Sequence, residues 1–386
     1  MNEHRKIGKQ LNLFDLHDYA PGMVHWLPAG HNVYRKVESY MRQVQEENGY
    51  LEVKSPPMAS MSLWEQSGHA DKYREAMLHV SDHGLAVKPM SCPFHIQMFS
   101  QLVKSYRDLP LRIAEFGLCH RNEPSGALNG LFRLRSFNQD DGHIFCEQVH
   151  IADELKRFCG MVFGVYKRFG FERDAVKVSI SLRPEQRIGE DALWDEGESS
   201  LRSALDELEI SHVLQPGEGA FYGPKVEFAL RDALGREWQC GTFQLDFFLA
   251  ERFGAGYVKA DGSQGYPVIL HRAALGSIER FIAILIEHHQ GKLPAWLNPH
   301  AVSIIPVNGE AHKQFSYHIA ARLRSSGIDA VVDAGEGSVG KRIRAGYSRK
   351  HNHHIVIGDE EVDSLLLSLG GRPPAPLNDV VSLILE

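Results

Sequence analysis

The sequence of 386 residues lacks any long hydrophobic run. No window approaches roughly 18 uninterrupted apolar residues, which argues against a membrane-spanning helix. The charged N-terminus has no apolar stretch ending in a small-residue cleavage site, so we expect no secretory signal. Cysteine is scarce, and its five residues are odd in number and scattered, so no disulfide framework is predicted. Together these absences favour a reducing, cytoplasmic setting and no membrane partner.

Basic charge is not in excess either, because 42 Lys and Arg face 49 Asp and Glu, for a net charge of −7. No overall basic surface therefore marks a nucleic-acid binder, and any such contact must be local. The chain is 43% hydrophobic and 24% charged, which is typical of a globular protein rather than a disordered or fibrous one. Its length favours two or three domains.

Residues 1–297 combine amphipathic helices with strands that are joined by short turns or long insertions. Apolar residues at helical spacing predict helices over 31–48, 151–169 and 193–208, and an apolar helix over 274–289. Predicted strands cover 112–120, 133–146, 176–182, 226–230, 238–249 and 267–270. Because strand and helix seldom alternate, the pattern favours an α+β domain, an antiparallel β-sheet flanked by helices.

The C-terminal part has a different character, and a Pro-bearing segment at 293–299 marks the predicted boundary between domains 1–297 and 298–386. Strands are predicted over 301–307, 329–332 and 354–357, and helices over 312–325, 339–347 and 377–385. This alternation at short spacing indicates a small α/β domain with a largely parallel sheet.

One predicted strand carries an unusual row of polar side chains. Period-2 alternation places six residues on one face of it: Arg133, Arg135, Phe137, Gln139, Asp141 and His143. Arginine can grip phosphates or a carboxylate, and a phenylalanine ring can stack on a base. A solvated face with surface ion pairs is the alternative for any single residue, but the density of the row favours a site.

This row belongs to a longer pattern, Arg121-Asn-Glu-Pro-Ser-Gly126 followed by Arg133-Leu-Arg-Ser-Phe-Asn-Gln-Asp-Asp-Gly-His143. It resembles motif 2 of class II aminoacyl-tRNA synthetases, in the version found in threonyl-tRNA synthetases. His271-Arg-Ala-Ala-Leu-Gly-Ser-Ile-Glu-Arg280 resembles motif 3, in which a helix aims an arginine at ATP. Further matches extend the resemblance over almost the whole chain. They include Leu63-Trp-Glu-Gln-Ser-Gly-His69, Lys88-Pro-Met-Ser-Cys92, Gly217-Glu-Gly-Ala-Phe-Tyr-Gly-Pro-Lys225 and Gln239-Cys-Gly-Thr-Phe-Gln-Leu-Asp246.

The resemblance implies a class II catalytic domain followed by an α/β anticodon-binding-like domain, and a Zn²⁺ ion held by Cys92, His143 and His271. One thiolate and two imidazoles leave coordination open for a substrate. Threonine would chelate the metal through its amino and hydroxyl groups, whereas valine would not. Without the family, a lone cysteine or histidine is more often structural. The same resemblance implies further residues around the threonine: Met90, Gln139, Asp141, Tyr222, Gln239 and Gln244.

For ATP, which would enter with Mg²⁺, the resemblance implies that Arg121 and Arg280 hold phosphates. Glu123 would accept from the adenine amino group, Arg133 would reach the distal phosphates, and Phe137 would stack under adenine. Gln239 and Thr242 complete the expected ATP set. The expected catalytic residues are Arg121, Arg280, Lys225 and His69, the last as a proton relay near the terminal tRNA ribose, with a plain loop histidine as the alternative.

The resemblance also implies a homodimer, built through helix 31–48 and the strand that ends at Pro56, although a tight turn alone would explain this proline. In the C-terminal domain the expected tRNA-binding residues are Lys341, Arg342, Arg344, Arg349 and Glu361. Three positions depart from the family pattern: Phe94, Glu336 and Gly370. The chain begins where the catalytic domain of the family begins, so we expect serine activation without clearance of seryl-tRNA in cis.

Two other functions remain open at this point. A synthetase paralogue would activate threonine but deliver it to a carrier protein or a small molecule instead of tRNA. A binding module or regulator would keep the fold without catalysis, although it would need neither the ATP arginines nor the Cys/His/His set. The leading hypothesis is a ligase that activates threonine with ATP and attaches it to tRNA.

Overall fold

The computed structural model describes residues 3–68, 70, 74–80, 83–232 and 235–385. His69 lies outside these residues. Within them, no helix combines the length and the apolar character that crossing a bilayer requires. The five cysteines are all buried and carry free thiols.

The strands are short in the N-terminal part and reach ten or eleven residues in the central sheet. In chain order they are β1 Phe14–Asp15, β2 His25–Trp26, β3 Leu51–Glu52, β4 Met58–Ser60, β5 His79–Val80, β6 Leu85–Val87, β7 Leu111–His120, β8 Ser136–Cys146, β9 Val176–Ser181, β10 His212–Gln215, β11 Lys225–Arg231, β12 Glu237–Asp246, β13 Tyr257–Val258, β14 Gln264–Gly265, β15 Val268–Ser277, β16 Val302–Pro306, β17 Ala330–Val332, β18 His353–Ile357, β19 Leu366–Leu367 and β20 Ala375–Pro376.

The α-helices range from single turns to twenty residues. In chain order they are α1 Glu3–Gln10, α2 Pro28–Glu47, α3 Met61–Gln66, α4 Cys92–Leu102, α5 Ile151–Arg168, α6 Asp191–Glu207, α7 Leu249–Arg252, α8 Ile278–His288, α9 Lys313–Ser325, α10 Val339–Ser348, α11 Asp359–Ser364 and α12 Leu377–Leu385.

The chain divides into two compact units. The larger unit consists of Leu16–Val24 and Glu38–Ile284, and the smaller one of the described parts of Met1–Asp15, His25–Val37 and Leu285–Glu386. The smaller unit therefore takes in N-terminal residues as well as the C-terminal region. The division at residue 297 stays a prediction.

The larger unit is built on an eight-stranded sheet with the order β10-β9-β11-β12-β15-β8-β7-β3. Only the outer pairs, β10 with β9 and β3 with β7, are parallel. Helix α5 packs on the sheet because its apolar stripe faces inward: Phe158 contacts the rings of Phe228 and Phe243. Acidic residues in its first turn and basic residues in its last turn complement the helix dipole. The predicted α+β class with a mainly antiparallel sheet is confirmed.

The smaller unit contains a parallel three-stranded sheet in the order β17-β16-β18. Its apolar core includes Ile304 and Ile355 from the strands and Ile319 and Leu323 from α9. This is the small α/β fold that the alternating pattern predicted.

Several predicted boundaries are wrong. The helix predicted over 274–289 begins only at Ile278, because β15 continues through Ser277. The strand predicted over 133–146 begins at Ser136, since a turn in which the Asn129 N–H donates to the Arg133 carbonyl precedes it. Helix α4 was not predicted, because residues all round its first turns are buried and no amphipathic stripe shows in the sequence.

Candidate active site

One face of the central sheet collects most of the predicted site residues. In an antiparallel pair, directly opposed residues project to the same side. Lys225 opposes Gln244, Gln244 opposes His271, and His271 opposes His143. Because β8 alternates, Phe137, Gln139 and Asp141 share the face of His143. The registers of four strands therefore bring residues that are far apart in the sequence onto one surface.

A cavity of about 350 Å³ opens on this face. All residues predicted to bind ATP line it, together with Gln139: Arg121, Glu123, Arg133, Phe137, Gln239, Thr242 and Arg280. The seven come from three separate stretches of sequence, and the structure brings them together.

Three guanidinium groups converge in the cavity. Arg133 donates from Nε to Glu123 Oε2 at 2.9 Å, and the Arg121 guanidinium lies 5.2 Å from the centroid of the Phe137 ring. Arg280 donates from Nε to the Phe132 carbonyl at 3.0 Å, and burial, with repulsion from Arg121 and Arg133, lowers its pKa. Concentrated positive charge with one carboxylate is suited to a polyanion such as a triphosphate.

An irregular bulge in β15 aims Arg280 into the cavity. Between Ala273 and Ser277 the register with β8 shifts, and the N–H groups of Ala274, Leu275 and Gly276 donate to the Asp140 carboxylate at 2.7–3.0 Å. Gly276 has a positive φ of 72°, which glycine adopts without strain. Helix α8 starts directly after the bulge. Asp140 thus fixes where the helix that carries Arg280 begins.

Glu279 anchors the same helix to β8. It is 3% exposed, and its carboxylate accepts from the Asn138 N–H and from Ser277 Oγ. Burial raises its pKa from 4.5 to about 7 although these donors favour the charged form. The Glu279 carboxyl is therefore one residue from Arg280 in the sequence, in a buried environment that disfavours its charged form.

Glu279 is expected to give the fold a measurable pH dependence. Because its pKa is higher in the folded chain than in the unfolded one, its contribution to the free energy of unfolding is full below about pH 4.5 and is lost as pH rises through about 7. This pKa shift corresponds to a decrease in the free energy of unfolding on the order of 3 kcal/mol. Urea denaturation between pH 5 and 8 should show the free energy of unfolding falling as pH rises in the wild type, and falling less steeply in E279Q. The exposed-site variant E196Q is the control, and equal slopes for E279Q and the wild type would contradict the assignment.

The predicted metal ligands meet on the same sheet face. Ligand atoms of Cys92, His143 and His271 all lie within 4.8 Å of one another. Cys92 begins α4, and the two histidines oppose each other on β8 and β15. Nε2 of His143 lies 2.9 Å from Nδ1 of His271, and Nε2 of His271 donates to Asp246 Oδ2 at 3.1 Å. A histidine held by a carboxylate through its second nitrogen is the usual arrangement in metal sites.

The surroundings of this cluster suit a cation. Burial raises the pKa of the Cys92 thiol well above its ordinary value, and the Asp141 and Asp246 carboxylates raise it further. Burial lowers the pKa of His143 well below its ordinary value, so its imidazole is neutral. A neutral His143 imidazole, the second histidine beside it, a thiol that a metal would deprotonate and two nearby carboxylates fit a divalent ion with three protein ligands.

A hydrogen-bond network around Glu227, on β11, holds further polar side chains on this face. Its Oε1 accepts from Lys225 Nζ at 2.9 Å and from Gln239 Nε2, and its Oε2 accepts from Ser181 Oγ at 2.5 Å. Glu227 therefore holds two predicted site residues, Lys225 and Gln239, in place.

Two other predicted threonine contacts, Met90 and Tyr222, line a small apolar pocket beside the cluster. Tyr222 donates from its hydroxyl to Gln244 at 3.3 Å, and its ring lies 5.8 Å from that of His271. Asp141 Oδ1 lies 4.0 Å from His143 Nε2. The predicted threonine residues are thus divided among the surroundings of the cluster, the cavity and this apolar pocket.

In the smaller unit the predicted tRNA-binding residues separate into two kinds. Lys341, Arg344 and Arg349 are exposed on α10 or just after it. Arg342 is 7% exposed and donates to the carbonyls of Asp333 and Pro306, each at 2.8 Å. Because its guanidinium is hydrogen-bonded to these main-chain carbonyls, Arg342 stabilises the fold and does not belong to the exposed basic surface of α10. Glu361 accepts from the Gly358 N–H at 2.8 Å and caps α11.

Two of the departures from the family pattern have local structural roles. Phe94 packs edge-on against Trp64, with ring centroids 5.8 Å apart, so it fills the core beneath α3 and α4. Gly370 has a φ of 59°, a conformation that strains side chains with a Cβ. Glu336 is an exposed loop residue.

Comparison with known proteins agrees with this geometry. Residues 77–289 match the family model described as tRNA synthetase class II core domain (G, H, P, S and T), and residues 301–372 match that of the anticodon binding domain. The solved RNA binding domain of threonyl-tRNA synthetase from Cryptosporidium parvum Iowa II superposes with a TM-score of 0.93 at 37% identity, covering 100% of this chain and 98% of that one. The chain belongs to the threonyl-tRNA synthetase family.

Other members and neighbours place the chain within the class. It is 48% identical over 372 residues to the threonine–tRNA ligase of Nitrosomonas eutropha. The aligned region covers 96% of this chain and 58% of that protein. The chain thus spans little more than half the length of this curated relative. The prolyl-tRNA synthetase of C. parvum, solved with L-proline and AMP, has a TM-score of 0.73 at 16% identity, covering 99% of this chain and 73% of that one, a likeness in fold alone.

Sequence reasoning missed the residues that hold this threonyl-tRNA synthetase site together. They are five buried acids and one buried histidine. His95, Glu227 and Asp246 contact predicted site residues directly. Glu115, Asp140 and Glu279 bond instead to neighbouring groups that support the site: His95, the N–H groups of residues 274–276, and the Asn138 N–H. Asp140, Asp246 and Glu279 fall within motif segments, but nothing in the sequence shows that the partners of Asp140 are the N–H groups of residues 274–276. Burial, which a single sequence does not display, is the signal that separates these acids from surface ones.

Proposed function

We propose that the chain catalyses the ATP-dependent activation of L-threonine to threonyl-adenylate and its transfer to tRNA(Thr). The observation that carries the proposal is one sheet face that holds both an arginine-lined cavity and a buried Cys/His/His cluster, with Gln139 of the cavity and His143 of the cluster on the same face of β8. The cavity fits a triphosphate, and the cluster fits a metal ion that a small amino acid can chelate.

In the activation step the threonine carboxylate attacks the α-phosphate of ATP and pyrophosphate leaves. Negative charge grows on the phosphate oxygens, and Arg121 and Arg280, which line the cavity, would stabilise it. Arg133, held by Glu123, would bind the distal phosphates of the Mg²⁺–ATP complex, and Phe137 offers a flat ring for adenine. Positioning and electrostatics suffice here, so no covalent nucleophile is needed.

Cys92, His143 and His271 would hold Zn²⁺, whose open coordination would accept the amino and hydroxyl groups of threonine. A hydrophobic pocket separates isosteres such as threonine and valine only about 10²-fold, so a site that demands the hydroxyl adds selectivity. Asp141, beside His143, would accept the hydroxyl proton in a hydrogen bond. Lys225 and Tyr222 would border the bound adenylate. Serine keeps both chelating groups, so we propose that it is activated too.

Transfer to tRNA is supported by the anticodon-binding domain match and by the exposed cations of α10. We propose His69 as the proton relay for transfer on the strength of its motif alone. Homodimerisation would use α2 and β3, since β3 is an edge strand of the large sheet and Leu51 on it is 56% exposed. Light scattering coupled to size-exclusion chromatography tests the dimer.

The deciding experiment measures pyrophosphate exchange with threonine, serine and valine, in parallel with charging of total tRNA, using the zinc-loaded protein. Exchange with threonine and serine, little exchange with valine, and charging with threonine are expected. Exchange without charging would move the proposal to a carrier protein or a small-molecule acceptor. Absence of both would leave a binding module.

The exposed cations of α10 are expected to contribute to tRNA affinity through phosphates. The triple variant K341Q/R344Q/R349Q should weaken tRNA binding and make its dependence on salt shallower, by about 0.7–0.9 in the log–log slope for each phosphate that is no longer neutralised. Filter binding over a salt series measures this, and pyrophosphate exchange should not change. R322Q, at an exposed arginine on α9, is the control. An unchanged salt slope in the triple variant would place the RNA-binding surface elsewhere.

A further inference from the structure

A chain of buried polar side chains leads from Lys88 and Glu115 to the metal-ligand cluster, on the sheet face that carries the cluster. Lys88 and Glu115, 1% and 2% exposed, form an ion pair at 3.0 Å, and Ser55 donates to Glu115 from both its N–H and its hydroxyl. Fully buried His95, on α4, places Nε2 3.1 Å from Glu115 Oε2 and Nδ1 2.7 Å from Nδ1 of His143. The proposed chemistry assigns no role to Lys88, Ser55, Glu115 or His95.

The direction of the hydrogen bonds in this chain follows from Glu115. A carboxylate can only accept, and the ammonium of Lys88 and both donors of Ser55 keep Glu115 ionised. Nε2 of His95 must therefore carry a proton, and in a neutral ring this leaves Nδ1 as an acceptor. The proton between the two histidines then belongs to Nδ1 of His143.

The consequence appears on the other side of the His143 ring. With its proton on Nδ1, neutral His143 presents a bare lone pair at Nε2, the atom that faces His271 at 2.9 Å. His271 donates from Nε2 to Asp246, so its Nδ1 is bare as well. Two lone pairs directed at one point repel each other unless a cation lies between them.

We propose that His95 and Glu115 are positioning residues that fix the His143 tautomer so that Nε2 is available to the metal. The inference rests on the proposed zinc site and extends it to a second set of residues. Had the His95 proton been on Nδ1, the lone pair of its Nε2 would face the Glu115 carboxylate, and His143 would present an N–H to the metal instead of a lone pair.

The pair H95L and H95N tests this inference. Asparagine can place its side-chain oxygen near the position of Nδ1 and still accept from His143, whereas leucine cannot. Zinc affinity, measured by competition with a chromophoric chelator on protein whose melting temperature is checked, should fall about 10–100-fold in H95L and be largely restored in H95N. The Michaelis constant for threonine should rise in H95L while that for ATP does not.

The outcomes separate this inference from the proposed function. A wild type that binds no zinc would overturn the proposed metal site itself, whereas zinc binding of equal strength in wild type and H95L would overturn only the positioning role. Nitrogen-15 NMR of the histidine rings in the zinc-loaded wild type needs no variant and covers the case in which H95L does not fold. A proton on Nδ1 of His143 supports the inference, and one on Nδ1 of His95 overturns it.

Discussion

Replacing Arg280 with glutamine is expected to lower the rate constant of threonine-dependent pyrophosphate exchange about 10²–10³-fold. Its guanidinium lies in the cavity with those of Arg121 and Arg133, where water is partly excluded and charge on the phosphates is stabilised most strongly. Glutamine keeps a polar, uncharged end on a stem one methylene shorter, and it removes the charge and the fork of donors. The effect should fall mainly on the rate constant, because the charge that Arg280 meets is greatest in the transition state.

A matched control distinguishes this effect from damage to the fold. R202Q makes the same change at an exposed position of α6, away from the cavity, and should exchange pyrophosphate like the wild type. Melting temperatures of both variants should stay close to that of the wild type. If R280Q turned over at the wild-type rate, the assignment of this cavity to the triphosphate would be wrong.

Removing the metal, or replacing Cys92 with alanine, is expected to reduce threonine activation by at least about 10²-fold and to remove most of the preference for threonine over valine. The reason is that the proposed function assigns recognition of the threonine hydroxyl to the cluster, while the cavity proposed for ATP is lined by other residues. ATP binding should therefore survive in C92A. Exchange assays with both amino acids, before and after dialysis against a chelator, measure the change.

Another buried cysteine offers a close control. Cys159, 1% exposed on α5, is outside the cluster, so C159A creates a similar cavity without losing a ligand. Chelator treatment should inactivate C159A as it does the wild type and should change C92A little further. If C92A activated threonine normally, zinc would not be the device that selects the amino acid.

The sequence alone determined the class of fold and the identity of the ATP and metal candidates. Hydrophobic periodicity is local, so it located α5, α6 and the α/β alternation of the C-terminal region to within a few residues. Motif likeness named the candidate ATP residues, and the structure brings every one of them to one cavity. Sequence patterns predict a feature correctly where the residues that determine it are close together in the chain.

The ends of helices and strands, and the hydrogen-bond partners of buried polar groups, were decided only by the tertiary structure. The helix predicted from residue 274 begins at Ile278 because Asp140, on another strand, takes the N–H groups of residues 274–276. Arg342 resembled its exposed basic neighbours in sequence, yet its guanidinium is held by two main-chain carbonyls. Each of these outcomes depends on hydrogen-bond partners that lie far away along the chain.

The same holds for the environment of the metal ligands. Cys92, His143 and His271 could be named from motifs, but the protons on the histidines depend on Asp246, His95 and Glu115, which the sheet registers and α4 bring into contact. Sequence thus determined which groups are present. Only the packing of β7, β8, β12 and β15 decided which of them are buried and which partner each one meets, because burial and long-range pairing set the strength and direction of polar interactions.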